Sequence, residues 1–223
     1  MLVNGAHLLP DGAGALIWPR QHLVAVAEPQ VANGSRTAPA MIKLLATLLR
    51  RRRPRAVIWL GPVLPALFDE GGLARSDAAA LTELVAAHDW TWVRADEHVC
   101  GPLTFRLDAS PDAPPGEVAA RPAPQAVLGG RDGPVALPCY AFDGRRVLLP
   151  GFGGLGRGSD VLSPPFKPLF RRPFTVLIAA GGRIRTLTRA KLEAESPRRP
   201  EPATPRPKSP GVRMRLGDDD FTP

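Results

Sequence analysis

Only two cysteines, Cys100 and Cys139, occur among 223 residues, and they form no C-x-x-C pair. A disulfide framework and a paired-cysteine redox or zinc motif are therefore not expected, and the setting read from cysteine usage is reducing and cytoplasmic. No apolar run approaches the roughly 18 residues that a membrane span needs, so no membrane partner is expected. The first residues lack a basic stretch leading into a long apolar run, and no secretory leader is read there. No Ser/His/Asp or Cys/His arrangement stands in the order and context that nucleophilic catalysis requires.

Apolar residues make up 44% of the chain, enough for one large domain with a substantial core. With 27 prolines and 22 glycines, many turns are expected, together with a disordered segment. Net charge is +8. Residues 1–190 hold 22 Lys/Arg against 15 Asp/Glu, so the excess lies in the folded part and not in the tail. A basic domain favours anionic partners, nucleic acid among them, through phosphate contacts and counterion release; a merely basic surface is the plain alternative.

The chain is organised around Leu23-Val-Ala-Val-Ala27, a buried strand, and the loop Glu28 to Ser35 that follows it. In open α/β sheets the loops after the carboxyl ends of strands are where ligands sit. Ala15–Trp18 reads as a preceding strand. Thr37–Arg53 reads as a helix, with Thr37 as cap, Pro39 in the first turn, a stripe through Ile42, Leu44, Leu45, Leu48 and Leu49, and a stop at Pro54. Ala56–Leu60 follows as a strand parallel to the first, ending at Gly61-Pro62. Ser76–His88 is read as a helix capped by Ser76, and Trp90–Val93 as a third strand delivering Arg94-Ala-Asp-Glu-His98 to the same edge.

The second half reads as short strands over Leu103–Leu107, Glu117–Ala119, Ala126–Leu128, Val135–Phe142, Arg146–Leu149 and Phe174–Ala180, mostly antiparallel. Asp143-Gly144 signals a hairpin, and Gly181-Gly182 before Arg183–Thr188 a second. Residues 191–223 are expected to be a disordered Pro/Arg-rich tail after a domain spanning 1–190.

Taken together, residues 1–190 resemble the small metallophosphoesterases known as ligase-associated DNA-damage-response endonucleases (the PdeM type), within the calcineurin-like phosphoesterase superfamily. The run Leu137-Pro-Cys-Tyr-Ala-Phe-Asp-Gly-Arg-Arg-Val-Leu-Leu-Pro-Gly-Phe-Gly-Gly154 and the run Asp160-Val-Leu-Ser-Pro-Pro-Phe166 carry that resemblance. It implies an α/β (α+β) sandwich of two packed mixed sheets flanked by helices. It also implies a site at the strand ends, where that family holds two divalent metals such as manganese on D-x-H, G-D, G-N-H-[DE] and G-H-x-H motifs.

Each motif departs here. The first falls on Glu28-Pro29-Gln30 and the second on Gly61-Pro62, which removes the bridging carboxylate. The third falls near Asp96, Glu97 and His98 in changed order, and the last on Gly116–Pro124, with Arg121 and Ala123 at the histidine positions. The expectation is a scaffold that lacks most of its metal ligands and is catalytically impaired, with no cofactor. Its expected partners are DNA and ligase-associated DNA-repair proteins; no oligomeric state is read. Glu28, Gln30, Asp96, Glu97, His98 and Arg121 are the remnant pocket, and Arg36 and Arg94 are further cations for it. Arg50, Arg51, Arg52 and Arg53 are candidates for phosphate or DNA contact, with a solvated helix end as the alternative. An active phosphodiesterase with an unusual site built on Glu28, Asp96, Glu97 and His98 stays open, as does a decayed protein without activity. Gly151–Gly158 resembles a phosphate loop but lacks the following Lys-Ser/Thr. Trp18, Trp59, Trp90 and Trp92 lie in expected strands, which favours burial over base stacking.

Overall fold

The computed structural model describes residues 1–29, 34–69, 71–180 and 183–197. The expected sandwich is present. A short hairpin, β1 (Leu2–Val3) and β2 (Ala6–His7), opens the chain. Its turn residues Asn4 and Gly5 have φ of 45° and 82°, the left-handed pair that an Asn-Gly hairpin turn demands. The first sheet has five strands in the order β3 (Leu9–Pro10), β4 (Ala15–Trp18), β5 (Leu23–Ala27), β6 (Ala56–Leu60), β7 (Asp89–Val93). Strands β5, β6 and β7 are parallel, as the βαβ reading predicts, and β3 and β4 are antiparallel additions.

All five β5 residues are buried, because both faces of this sheet are covered. Leu23, Ala25 and Ala27 face the second sheet, while Val24 and Val26 face the helices α1 (Gly34–Arg52), α2 (Val63–Asp69) and α3 (Arg75–Ala86). That split follows the period of two along a strand. The Met41, Leu45, Leu48 and Leu49 stripe of α1 closes the helical layer over Trp59 and Phe152.

Among the described residues, the second sheet has nine strands. Its main path includes β8 (His98–Cys100), β9 (Leu103–Asp108), β10 (Glu117–Arg121), β11 (Pro124–Gly130), β12 (Gly133–Phe142), β13 (Arg146–Leu148) and β14 (Ser159–Asp160). Strand β15 (Thr175–Ala180) pairs with β12, and β16 (Arg183–Thr188) pairs with β15. Most pairs are antiparallel, as expected, but β10 runs parallel to both β9 and β13. Phe105, Val118, Tyr140, Val147 and Leu177 form its inner face against the first sheet. Its outer face, with Cys139, Leu148 and Ile178, is covered by the Val161–Phe174 segment and by α4 (Arg189–Glu195). The Tyr140 hydroxyl lies between the sheets, donates toward the carbonyls of Asp11 or Ala15, and accepts the Asp11 amide.

Several elements differ from the sequence expectation. Helix α1 begins at Gly34, so Thr37 is inside it and Pro39 is an interior proline. Helix α3 starts at Arg75 after Ala74, and no side chain caps it, so Ser76 is not its cap. Helix α4 crosses residue 190, and its Leu192 is fully buried in the outer core. Residues 198–223, most of the expected tail, lie outside the described residues, as do Gly181 and Gly182. Trp18 and Trp59 are buried as expected, but Trp90 and Trp92 are only half-buried and stack at 4.7 Å on the edge strand β7.

Candidate functional site

The parallel strands β5, β6 and β7 end together at one edge of the first sheet. The Glu28 amide bonds to the Leu60 carbonyl at 2.9 Å, and the Gly61 amide to the Val93 carbonyl at 3.0 Å. A bridge from Ala27 to Gly151 brings the glycine-rich loop of the second sheet to the same edge. Beside them lies Arg121, the last residue of β10.

Glu28 is the pivot of this edge. One carboxylate oxygen accepts the Val63 amide at 2.8 Å, and the other accepts the Leu64 amide at 2.5 Å. Both donors belong to the first turn of α2, where backbone N–H groups have no partner within the helix. Glu28 therefore acts as the helix cap, from 35 residues earlier in the chain. Nothing local signals this helix, which is seven residues long and starts beside Pro62 with Pro65 inside it.

Gly61 is required for the same contact. A Cβ at that position would lie 2.3 Å from the Glu28 Cβ and 2.4 Å from a carboxylate oxygen. Burial pushes the Glu28 pKa above its ordinary value; the Val63 and Leu64 amides, the Trp59 indole and the Arg121 charge act in the opposite direction without overcoming it. The Trp59 contribution is weak, because its buried indole N–H makes no well-formed hydrogen bond.

The other sequence candidates are distributed around this point. Arg121 lies 3.9 Å from Asp108, its neighbour across the β9–β10 pairing, and its charge is felt at Glu28. Arg94, at the end of β7, holds Asp69 at the far end of α2 at 2.6 Å. Glu97 pairs with Arg106 of β9 at 2.5 Å. His98 starts β8 with its ring 6.5 Å from that of Phe105. Asp96 lies exposed in the turn between β7 and β8. Gln30 lies outside the described residues, and so does the side chain of Arg36.

Among the described residues, no group of three or more His, Cys, Asp or Glu side chains is placed to hold a metal ion. Glu28, Asp96, Glu97 and His98 thus do not assemble as a ligand set. The donor chemistry points the same way. Both oxygens of Glu28 are taken up by amides, Gly61-Pro62 supplies no ligating side chain, and Arg121 adds a cation. A two-metal centre does not fit these residues.

The basic run at the end of α1 has a structural use that its sequence does not reveal. Asp11 is buried, and its Oδ2 receives Arg51 at 2.7 Å and Arg52 at 2.6 Å. Burial works against the Asp11 charge, but the Ala13 amide, Arg52 and Arg51 outweigh it and hold the pKa below its ordinary value. Arg50 and Arg53 remain exposed. The glycine-rich loop also spends its amides internally: the Gly153 N–H bonds to Ala13 and the Gly154 N–H to Gly151, so neither is aimed at a phosphate.

No protein-family model and no curated protein matches this chain. Among solved structures, the fold is similar to that in the crystal structure of Pseudomonas putida nuclease MPE. The TM-score is 0.60 at 21% sequence identity, over 84% of this chain and 98% of that one. The likeness is one of fold: a mixed α/β architecture similar to that of the nuclease structure.

Proposed function

We propose that this chain binds DNA on a phosphoesterase-like scaffold and does not perform metal-dependent hydrolysis. The observation that carries the reading is Glu28. At the position where the resembling family would place a metal-binding carboxylate, this side chain caps α2 with both oxygens and has Gly61 packed against it. Arg94 is taken up by Asp69, whereas Arg121, only loosely paired with Asp108 at 3.9 Å, supplies a cation to the strand edge, and among the described residues no metal-holding cluster stands beside it. A guanidinium placed there holds a phosphodiester by charge and hydrogen bonding. The strand-edge surface is the DNA-facing one, and repair proteins of the ligase-associated kind are the partner class that fits the resemblance.

The test is phosphodiesterase activity on bis-p-nitrophenyl phosphate with added manganese, run beside DNA binding over a salt series. The expected result is no metal-dependent turnover, with an affinity that falls as salt rises and falls further in Arg121→Gln. Metal-dependent turnover that disappears in Glu28→Ala would refute the non-hydrolytic part. DNA affinity unchanged in Arg121→Gln would refute the assignment of the surface.

A further inference from the structure

At the opposite end of β10 and β13 lies a second cationic feature. The β12–β13 hairpin turn contributes Arg145 and Arg146, and the segment after Phe170 contributes Arg171 and Arg172, to one concavity of about 230 Å³ floored by Leu169. Arg146 is level with Glu117, four residues before Arg121 on β10, so this concavity is roughly 13 Å from Arg121 along the strand direction. It is smaller than the roughly 300–1,000 Å³ of sites that take drug-sized ligands, and is matched to a small group.

Both walls are held in place. Asp143 accepts the amides of Arg145 and Arg146 at 2.9 and 3.0 Å, fixing the turn. The Arg145 carbonyl accepts the Gly116 amide at 2.6 Å. The Arg146 side chain is only 5% exposed, bonds to the Ser110 carbonyl at 3.0 Å and faces Glu117 at 3.1 Å. On the other wall, Phe170 and Phe174 pack ring to ring at 4.7 Å in the outer core, next to Arg171 and Arg172.

The acids nearby are mostly committed. Asp112 pairs with Arg171, Glu117 is shared between Arg146 and Arg106, and Asp143 is engaged by the turn amides. Among the described residues, Arg145 and Arg172 form no ion pair, although both line the concavity. Arg146 and Arg171 have carboxylate partners, so Arg145 and Arg172 carry the unpaired positive charge of the concavity, which Asp143 also lines, and the planar N–H fork of arginine matches the oxygens of phosphate.

We propose that this concavity is a phosphate-binding site, separate from the strand edge, in which Arg145 and Arg172 supply the contacts and Arg146 supplies fixed positive charge. The inference stands on this geometry and does not depend on the DNA-binding reading of the strand edge.

The experiment measures binding of inorganic phosphate, and separately of a short single-stranded oligonucleotide, to the full chain, to the double variant Arg145→Gln/Arg172→Gln and to Arg121→Gln. Thermal melting confirms that each variant is folded. Phosphate affinity is expected to fall at least about tenfold in the double variant, and by more than in Arg121→Gln. If the phosphate belongs to a nucleic-acid backbone, the salt dependence of oligonucleotide binding also drops by about two phosphate contacts in the double variant. If oligonucleotide binding is indifferent to the double variant while phosphate binding is lost, the ligand is a small phosphate. Equal phosphate and oligonucleotide affinity in the wild type and the double variant, or no binding of either probe, overturns the proposal. Loss of both phosphate and oligonucleotide binding confined to Arg121→Gln would overturn it while leaving the strand-edge reading intact.

Discussion

Replacing Glu28 by glutamine tests whether this side chain is a helix cap. The two shapes match closely, so no cavity opens. The amide oxygen can accept one of the Val63 and Leu64 N–H groups, but the amide nitrogen then faces the other as donor against donor. Leu64 is fully buried, so its N–H gains little from water, whereas Val63 is 39% exposed and its N–H can be solvated. Losing a side-chain cap costs about 0.5–2 kcal/mol. With a charged acceptor, and with solvation recovered at only one donor, about 1–2 kcal/mol is expected for Glu28→Gln. For a domain of this size that corresponds to a melting-temperature drop of about 2–8 °C.

The pH dependence has a definite sign. The folded-state pKa of Glu28 is raised above its ordinary value of 4.5, so between the two values the folded protein holds more of this proton than the unfolded chain does. Wild-type stability from this group therefore increases as pH falls through the folded-state pKa and decreases as pH rises. Glutamine does not titrate, so the gap between wild type and Glu28→Gln is expected to be wider near pH 5 than near pH 8. Urea unfolding of both proteins at the two pH values measures the gap directly. A gap that widens toward high pH, as for a carboxylate stabilised by cations, would refute the reasoning. So would no gap at either pH.

Other perturbations follow from the same contacts. Asp11→Ala removes a buried carboxylate held by two arginines that are themselves partly exposed, and about 2–3 kcal/mol of stability loss is expected by urea unfolding. Because the folded-state pKa of Asp11 is lowered, its contribution is present above the ordinary value of 3.8 and lost as pH falls through the lower folded value, so Asp11→Ala should lose its penalty in strong acid. Gly61→Ala should destabilise by about 1–3 kcal/mol through overpacking, and thermal melting should show no rescue by Glu28→Ala, because the Glu28 Cβ itself is the contact at 2.3 Å. Ending the chain after residue 190 removes the fully buried Leu192. It should lower stability by about 2–4 kcal/mol relative to ending after residue 197, read from the denaturation midpoint.

The apolar runs and their spacing were enough to determine the architecture. Leu23–Ala27 and Ala56–Leu60 are short, fully apolar and separated by a helical stripe, and local burial chemistry gives such a pattern few outcomes other than parallel central strands. Asp143-Gly144 likewise fixed its own hairpin, and Asn4-Gly5 carried an equally local turn signal at the first hairpin. The absence of a metal-ligating side chain at Gly61-Pro62 and at Arg121 was also legible, because a Gly-Pro and an arginine supply no metal ligand whatever their placement.

What the side chains at that edge do instead was decided by tertiary contacts between residues distant in sequence. The first turn of α2 is capped by Glu28, 35 residues earlier, so neither the helix nor the role of the glutamate can be read from neighbouring residues. Arg51 and Arg52 look like a free basic run until Asp11, 40 and 41 residues away, is buried beneath them. Arg145, Arg146, Arg171 and Arg172 come from two separate segments and share one concavity only once β12, β13 and the outer core are packed. Hydrophobic periodicity is a local property and survives in the sequence. The pairing of a charge depends on which donors and acceptors the fold buries together, and only the three-dimensional structure sets that.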